Sequence, residues 1–247
     1  MISSGELQEI YFDQASMVSK SYPFNLPFLK DLSTLKIDPK VTFFVGENGM
    51  GKSTLIEAIA VASGFNSEGG TKNFNFNTRA SHSSLHRHIR TSRGVRRHTD
   101  GFFLRSESFF NVATEIEKLD EEGGGPKIID SYGGTSLHEQ SHGESFWALF
   151  MNRFRGNGFY ILDEPEAALS PTRQMAMLYK IHQLVATGSQ FIIATHSPIL
   201  IAYPGSTVYE FNQTGVKAKN YKETELFKSY ADFIQNSDSH IHYLLNQ

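Results

Sequence analysis

The stretch that decides the fold is VTFFVGENGMGKSTLIEAIAVA, residues 41–62. It passes from an apolar, β-branched run through a glycine-rich turn into residues that favour a helix. Residues 46–53 match the pattern G-x-x-x-x-G-K-[ST]. Glycines permit backbone conformations in which successive N–H groups point at phosphate oxygens, and the following helix presents the positive end of its dipole. We therefore predict a strand at 41–45, a phosphate-binding turn and a helix at 53–62.

Within this turn, Lys52 would reach the β and γ phosphates and the Ser53 hydroxyl would ligate Mg²⁺. The alternative is a glycine-rich strand–helix turn that carries a surface lysine. The strand expected before the turn and the helix expected after it favour phosphate binding. The residues expected to contact a bound nucleotide are Gly46, Asn48, Gly49, Met50, Gly51, Lys52, Ser53 and Thr54.

Two acidic residues follow a second apolar run in FYILDEPEAALSP, residues 159–171. The carboxyl end of a parallel strand is the edge at which α/β proteins bind ligands. We expect Asp163 to hold Mg²⁺ through water, and Glu164 to orient and deprotonate an attacking water. Two solvated acids at a strand end are the alternative, and the phosphate-binding turn earlier in the chain favours a functional site.

A histidine follows a third apolar run in QFIIATHSP, residues 190–198. His196 is expected at the same edge of the sheet, where it would donate a hydrogen bond to the γ phosphate or sense it. A structural histidine is the alternative. The presence of the two earlier motifs in the same chain favours a functional role for His196.

The order of apolar runs predicts an α/β fold with a mostly parallel central sheet. Strands at 159–162 and 191–194 enclose a segment, 171–187, with apolar residues at helical intervals. Further predictions are a strand beginning at 101 and one at 207–211, and helices at 112–119, 146–154 and about 223–234. Residues 1–40 alternate in short runs typical of strands and loops.

Composition limits the possible classes of protein. The chain has 247 residues, a formal net charge of −3 and no cysteine, so disulfides, thiolate metal sites and a cysteine nucleophile are excluded. The first residues include acids where a secretory signal needs basic and then apolar residues. No apolar run approaches the ~20 residues that span a bilayer. We expect a cytoplasmic protein without direct membrane insertion.

The three motifs, in this order, resemble the nucleotide-binding domain of the ABC ATPase superfamily, from about residue 41 to 198. The resemblance implies a P-loop ATPase that hydrolyses Mg²⁺-bound ATP. It also implies a single ABC-type domain over residues 1–247, with an inserted, partly helical lobe at about 79–150. Lys52, Glu164 and His196 would be the catalytic residues, Ser53 and Asp163 the metal ligands, and ATP and Mg²⁺ the cofactors.

The superfamily's signature, LSGGQ, has a partial match at LHEQSHGESF, residues 137–146. Ser141 and Gly143 are retained, whereas Gln140, His142 and Glu144 depart from the signature. In the family this segment caps the ATP held by a second subunit, so the resemblance implies an ATP-dependent homodimer. A helix cap, with Ser141 at the N-cap and Glu144 three residues later, is an alternative that is compatible with it.

Other family elements are altered. Ser170 stands where the D-loop usually has aspartate, and FFLRSESFF, residues 102–110, has no Q-loop glutamine. Arg105 occupies the nearest register and Glu107 follows it; either could act near Mg²⁺ or its water, or neither could. The candidates for stacking on adenine are Tyr22, Phe24 and Phe28, and the sequence does not choose among them.

The glutamate after LDEP, Glu166, resembles the non-transport branch of the superfamily: the RecF-like, SMC-like and OLD-like heads and their small stand-alone relatives. That branch implies a motor or switch in a nucleic-acid or defence complex. The ATP subunit of a membrane transporter is one alternative. A nucleotide-dependent binding module with little turnover is another.

A basic run lies between the first two motifs, and only Asp100 opposes its charge. It could bind nucleic acid, bind an acidic protein partner, or be a solvated loop without a special role. One of its arginines could also touch a nucleotide across a dimer. The arginines are Arg79, Arg87, Arg90, Arg93, Arg96, Arg97 and Arg105.

Overall fold

The computed structural model describes residues 5–17, 21–72, 83–95, 97–107, 109–123 and 127–246. In these residues nine strands form two sheets. In chain order they are β1 (Leu7–Phe12), β2 (Thr34–Lys36), β3 (Val41–Gly46), β4 (Ile89–Arg93), β5 (Asp100–Arg105), β6 (Gly158–Asp163), β7 (Gln190–Ala194), β8 (Thr207–Asn212) and β9 (Gly215–Lys219).

The larger sheet has six strands in the order β5-β6-β7-β3-β8-β9. Its first five strands pair in parallel, and β9 closes the edge as an antiparallel hairpin with β8. The smaller sheet is antiparallel, in the order β2-β1-β4. The predicted α/β class with a mostly parallel central sheet is confirmed.

The described residues also contain six α-helices. They are α1 (Lys52–Ala62), α2 (Phe109–Glu122), α3 (His142–Arg153), α4 (Pro171–Ala186), α5 (Glu225–Gln235) and α6 (Ser237–Leu245). Helices α2 and α3 lie between β5 and β6, so they form the helical part of the range 79–150. The same range contributes β4 to the small sheet and β5 to the large one.

The large sheet is covered on both faces, and the central strand β3 illustrates how. Neighbouring residues of a strand point to opposite faces. Phe43 packs in a core that includes Phe146 of α3 and Met177 of α4. Phe44 packs in a second core with Leu55 of α1 and Ile10 of the small sheet. Both phenylalanines are fully buried, which is why β3 reads as a continuous apolar run.

The predicted strands and helices are present, with ends displaced by a few residues. Strands β4 and β9 and helix α6 were not predicted. The β9 sequence GVKAK is rich in lysine and lies at the sheet edge, where its pairing with β8 rather than burial stabilises it. Helix α6 buries no residue, so the sequence carries little periodic signal there.

Among the described residues, no helix combines the length and the apolar character needed to cross a bilayer.

Candidate functional site

The glycine-rich turn connects β3 to α1 at the carboxyl edge of the large sheet. Two of its glycines are required by their surroundings. A Cβ atom on Gly46, where φ is +138°, would lie 2.2 Å from the backbone oxygen of Phe211. One on Gly51, where φ is +91°, would lie 2.6 Å from the Phe28 ring. The turn is therefore held tightly between β8 and the buried aromatic core.

Lys52 is the first residue of α1 and is 4% exposed. Its Nζ donates hydrogen bonds to the backbone oxygens of Gly46, at 2.8 Å, and Glu47, at 2.9 Å. Burial lowers the pKa of Lys52, and the charges of Glu164 and Asp163 oppose that shift. The ammonium group thus lies inside the loop, next to where phosphates would lie.

Ser53 and Asp163 are brought together from elements 110 residues apart. The Ser53 hydroxyl donates to Asp163 Oδ1 at 3.1 Å. Burial raises the pKa of Asp163 to about 7, against the charge of Arg105 and the hydrogen bond from Ser53. A hydroxyl and a carboxylate are the hard oxygen ligands that Mg²⁺ prefers, so this pair fits the metal implied by the motif.

Glu164 and His196 lie at the same edge, as predicted for strands that end together. Glu164 Oε1 is 3.7 Å from His196 Nε2. Within the described part of the chain, His196 Nε2 is buried and has no hydrogen-bond partner. Burial lowers the pKa of His196, and the charge of Lys52 adds to this. The imidazole is therefore neutral near pH 7, with one buried nitrogen available for a ligand.

Glu166 also belongs to the site, and its structural role was not predicted from the sequence. Its Oε1 accepts a hydrogen bond from the His196 backbone N–H at 2.5 Å. Burial raises the pKa of Glu166, and the bond from His196 opposes that shift. The carboxylate fixes the turn that carries His196. The only signal in the sequence was a second acid in the turn EPEAAL, residues 164–169, and its partner lies 30 residues away.

Arg105 also belongs to the site. The register of the sheet pairs Arg105 at the end of β5 with Asp163 at the end of β6. Its guanidinium contacts Glu57 at 2.7 Å and Asp163 at 3.8 Å. The exposed Glu107 carboxylate is 3.4 Å away on the other side. Glu57 was not expected to take part, although its position one turn after Ser53 on α1 places both on one helix face.

A cavity of about 340 Å³ lies beside the turn. Of the three adenine candidates, Tyr22 lines this cavity; it is 60% exposed, with its hydroxyl 3.1 Å from Thr54 Oγ1. Phe28 is buried under Gly51, and Phe24 packs edge-on against His88. The described residues that line the cavity are Tyr22, Leu26, Asn48, Gly49, Gly51, Lys52, Ser53, Thr54 and Glu164. Met50 instead lines a neighbouring cavity of about 480 Å³ with His196.

Ser141 and Gly143 lie at the start of α3, away from the cavity beside the turn. The Ser141 backbone N–H and hydroxyl donate to the Glu144 carboxylate at 3.1 and 2.5 Å, which is the predicted capping arrangement. The backbone oxygen of Gly143 accepts a hydrogen bond from Arg173 at 3.2 Å. Ser170, at the altered D-loop position, caps α4 by accepting from the Arg173 N–H.

The basic run divides between two places. Arg87, Arg90, Arg93 and Arg97 are exposed on or near β4, whereas Arg105 lies at the metal-ligand pair. Arg79 and Arg96 lie outside the described residues. Asp100, the acid within the basic run, forms an ion pair with Arg153 of α3 at 2.8 Å.

A model of the AAA domain matches residues 21–144, half of the chain. The chain belongs to the AAA domain family. A second AAA domain model, whose description also names the AbiEii toxin and the type IV TA system, matches residues 128–202 of this AAA domain protein. The two matches together span the glycine-rich turn, Asp163 and His196. No curated protein sequence matches the chain.

Solved structures at low sequence identity are similar to this chain. A chain of an ABC transporter described as metal-chelate type, in an inward-facing conformation, has a TM-score of 0.50 and 14% identity, covering 92% of this chain and 88% of that one. The SMC head domain from Thermotoga maritima has a TM-score of 0.44 and 15% identity, over 87% and 98% of the two chains. For cbiO1 from Clostridium perfringens, part of the ABC transporter complex cbiONQ, the values are 0.46 and 17%, over 98% and 100%.

The predicted resemblance to an ABC-type P-loop ATPase is confirmed. Membership of the AAA domain family supports nucleotide-binding ATPase activity for this chain. The assignment to the non-transport branch of the superfamily stays a prediction.

Proposed function

We propose that this AAA domain protein is a Mg²⁺-dependent ATPase whose ATP-bound form closes a head-to-head homodimer. The observation that carries the proposal is the meeting of Lys52, the Ser53–Asp163 pair and the Glu164–His196 pair at one sheet edge. The five residues come from the three motifs, and each has chemistry that phosphoryl transfer to water requires.

In this proposal the chain's own residues divide the work. The backbone N–H groups of the turn and the Lys52 ammonium bind the phosphates. Glu164 accepts a proton from the water that attacks the γ phosphorus, and the bond to the β–γ bridging oxygen breaks, giving ADP and phosphate. His196 donates a hydrogen bond from Nε2 to a γ-phosphate oxygen. When bound at Ser53 and Asp163, Mg²⁺ would supply positive charge to the phosphate oxygens.

The homodimer is proposed from the family resemblance of residues 141–144. Ser141 is exposed at the start of α3, where its hydroxyl and the first N–H groups of the helix could meet a phosphate held by a second copy. Glu144 holds that hydroxyl at 2.5 Å. A γ phosphate in trans would therefore have to draw Ser141 away from a carboxylate, which predicts a weaker closure than an uncharged residue at 144 would give.

The remaining parts of the proposal concern the chain as a whole. We propose that residues 1–247 act as one ATPase domain, with the lobe at about 79–150 carrying both the basic run and the start of α3. The exposed arginines near β4 would contact the partner on which the switch acts, nucleic acid or protein. We also propose a cytoplasmic location, which fits the absence of cysteine from the sequence.

Light scattering with and without Mg²⁺ and ATP tests the proposal on the wild type and on Glu164→Gln. The variant keeps the shape of the side chain but cannot accept the proton, so hydrolysis should fall by roughly 10²-fold or more. ATP should then double the molar mass of the variant. Lys52→Ala, which should not bind ATP, is the control and should stay monomeric.

The outcomes separate the alternatives. A Glu164→Gln monomer with ATP demonstrably bound would contradict the homodimer. Wild-type protein that binds ATP tightly yet releases no phosphate, with or without partners, would support a binding module instead. Co-purification with a membrane subunit would support the transporter alternative.

A further inference from the structure

Four polar side chains form a continuous chain of contacts next to the cavity that the glycine-rich turn lines. Ser53 contacts Asp163, Asp163 lies beside Arg105, and Arg105 is bound by Glu57, which returns to the same helix as Ser53. Helix α1 and strands β5 and β6 therefore meet through these groups. The sequence elements that place them are the helix spacing of Ser53 and Glu57 and the β5–β6 register.

The guanidinium of Arg105 is fixed but not fully satisfied. Its Nη1 donates to Glu57 Oε2 at 2.7 Å and to the Ser67 backbone oxygen at 3.4 Å. Its Nε is buried and has no hydrogen-bond partner in the described part of the chain. That nitrogen is 3.8 Å from Oδ2 of Asp163, the residue expected to ligate the metal.

Asp163 needs a cation at this place. Its side chain is 8% exposed, and an uncompensated carboxylate at that depth is costly. Ser53 occupies Oδ1 with a neutral hydrogen bond, whereas Oδ2 faces the positive charge of Arg105. Mg²⁺ would bring a second positive charge to the same carboxylate, so Arg105 and the metal oppose each other electrostatically.

We propose that Arg105 is a positioning residue that acts as a resident counter-cation of Asp163 and thereby sets the Mg²⁺ concentration at which the site fills. This inference rests on the proposed Mg²⁺-dependent ATPase function. The guanidinium compensates Asp163 before metal binds, and Glu57 holds it in place, so that the carboxylate is kept ordered. The cost of this arrangement is a weaker affinity for the metal than a neutral residue at 105 would allow.

Mn²⁺ binding in the presence of ADP, measured by electron paramagnetic resonance, tests the proposal without turnover. Arg105→Met removes the charge, keeps an apolar stem of similar length and adds no oxygen ligand. Its Mn²⁺ affinity should rise about tenfold, since a unit charge within a few ångströms of the metal is removed. Arg105→Lys retains a charge and should stay within about threefold of the wild type. Glu107→Gln, at an 85% exposed side chain, is the matched control and should change by less than about twofold.

ADP affinity in EDTA is measured first, so that two kinds of failure can be told apart. If the wild type binds neither ADP nor Mn²⁺, the ATPase function itself fails. If it binds both and Arg105→Met leaves the Mn²⁺ affinity unchanged, only the proposal for Arg105 is overturned. Should Arg105→Met not fold, Glu57→Gln gives a second test. The guanidinium then keeps only Asp163 and the exposed Glu107 as carboxylate partners, so Mn²⁺ affinity should fall at least threefold. An unchanged affinity in that variant would also overturn the proposal.

Discussion

Glu164 has a backbone conformation that its residue type rarely adopts. Its φ is +52°, in the left-handed region, where a residue with a Cβ atom is strained by about 1 kcal/mol. Three hydrogen bonds hold the conformation: its N–H donates to Ala194 O, and its own backbone oxygen accepts from the Ser106 hydroxyl and the Ala167 N–H. Strain of this kind is concentrated at functional sites, which fits the catalytic role proposed for Glu164.

Glu164→Gly should therefore leave the free energy of unfolding unchanged or raise it by up to about 1 kcal/mol, because relief of strain offsets the extra freedom of the unfolded chain. Urea denaturation measures this. The control is Ala167→Gly in the same turn, at an exposed residue without positive φ, where a loss of about 0.5–1 kcal/mol is expected. Equal losses in the two variants would show that residue 164 is unstrained.

The site could be predicted from the sequence where one short motif supplies both the residue and its backbone. Lys52 and Ser53 follow from the glycine pattern, and Asp163 from its place at a strand end. Glu57 and Glu166 could not be predicted, because their partners, Arg105 and His196, lie 48 and 30 residues away. Only the contact of α1 with the end of β5, and the contact between the turns that follow β6 and β7, bring those pairs together, and neither is encoded in a local pattern.

The start of α3 is coupled to the turn after β6. Gly143 packs so closely against that turn that an added Cβ atom would lie 2.6 Å from the Ala168 backbone oxygen. Arg173 of α4 donates to the Gly143 backbone oxygen in the same contact. The partial signature and the D-loop segment are therefore one packed unit within a single chain, and Gly143 has a structural reason to be glycine.

Gly143→Ala separates packing from helix propensity by the sign of its effect. Propensity alone predicts a gain of about 1 kcal/mol in the free energy of unfolding, since alanine is favoured over glycine within a helix. The contact with Ala168 predicts a net loss of about 1–3 kcal/mol. Thermal and urea denaturation decide between them, with the partly exposed Met151→Ala on the same helix as a control. A stabilised variant would mean that the turn gives way easily.

At the scale of the whole molecule, the parallel strands could be predicted from the sequence, whereas the small sheet and the edge strand β9 could not. Buried parallel strands such as β6, with all six residues buried, appear in the sequence as continuous apolar runs. The small sheet depends on pairings between β1, β2 and β4, which lie far apart in the chain and alternate only weakly. Its outer strand β4 pairs with β1 alone among the described residues, and this edge carries exposed arginines.

The exposed arginines at this edge predict how the binding of a nucleic-acid partner would depend on salt. If Arg87, Arg90, Arg93 and Arg97 each contact a phosphate, the logarithm of the affinity for a DNA duplex should fall with the logarithm of the salt concentration with a slope of about −3 to −4. Fluorescence anisotropy on a labelled duplex, from low to moderate salt, measures the slope. Arg90→Gln should reduce its size by about 1.

Lys118→Gln makes the same change of charge on an exposed position of α2, distant in sequence from β4, and should leave the slope as it is. A slope near zero, or equal effects of the two substitutions, would exclude phosphate contacts at this edge. The arginines would then be assigned to an acidic protein partner. Clustered positive charge that makes no contact with DNA can still steer association with a negatively charged protein surface.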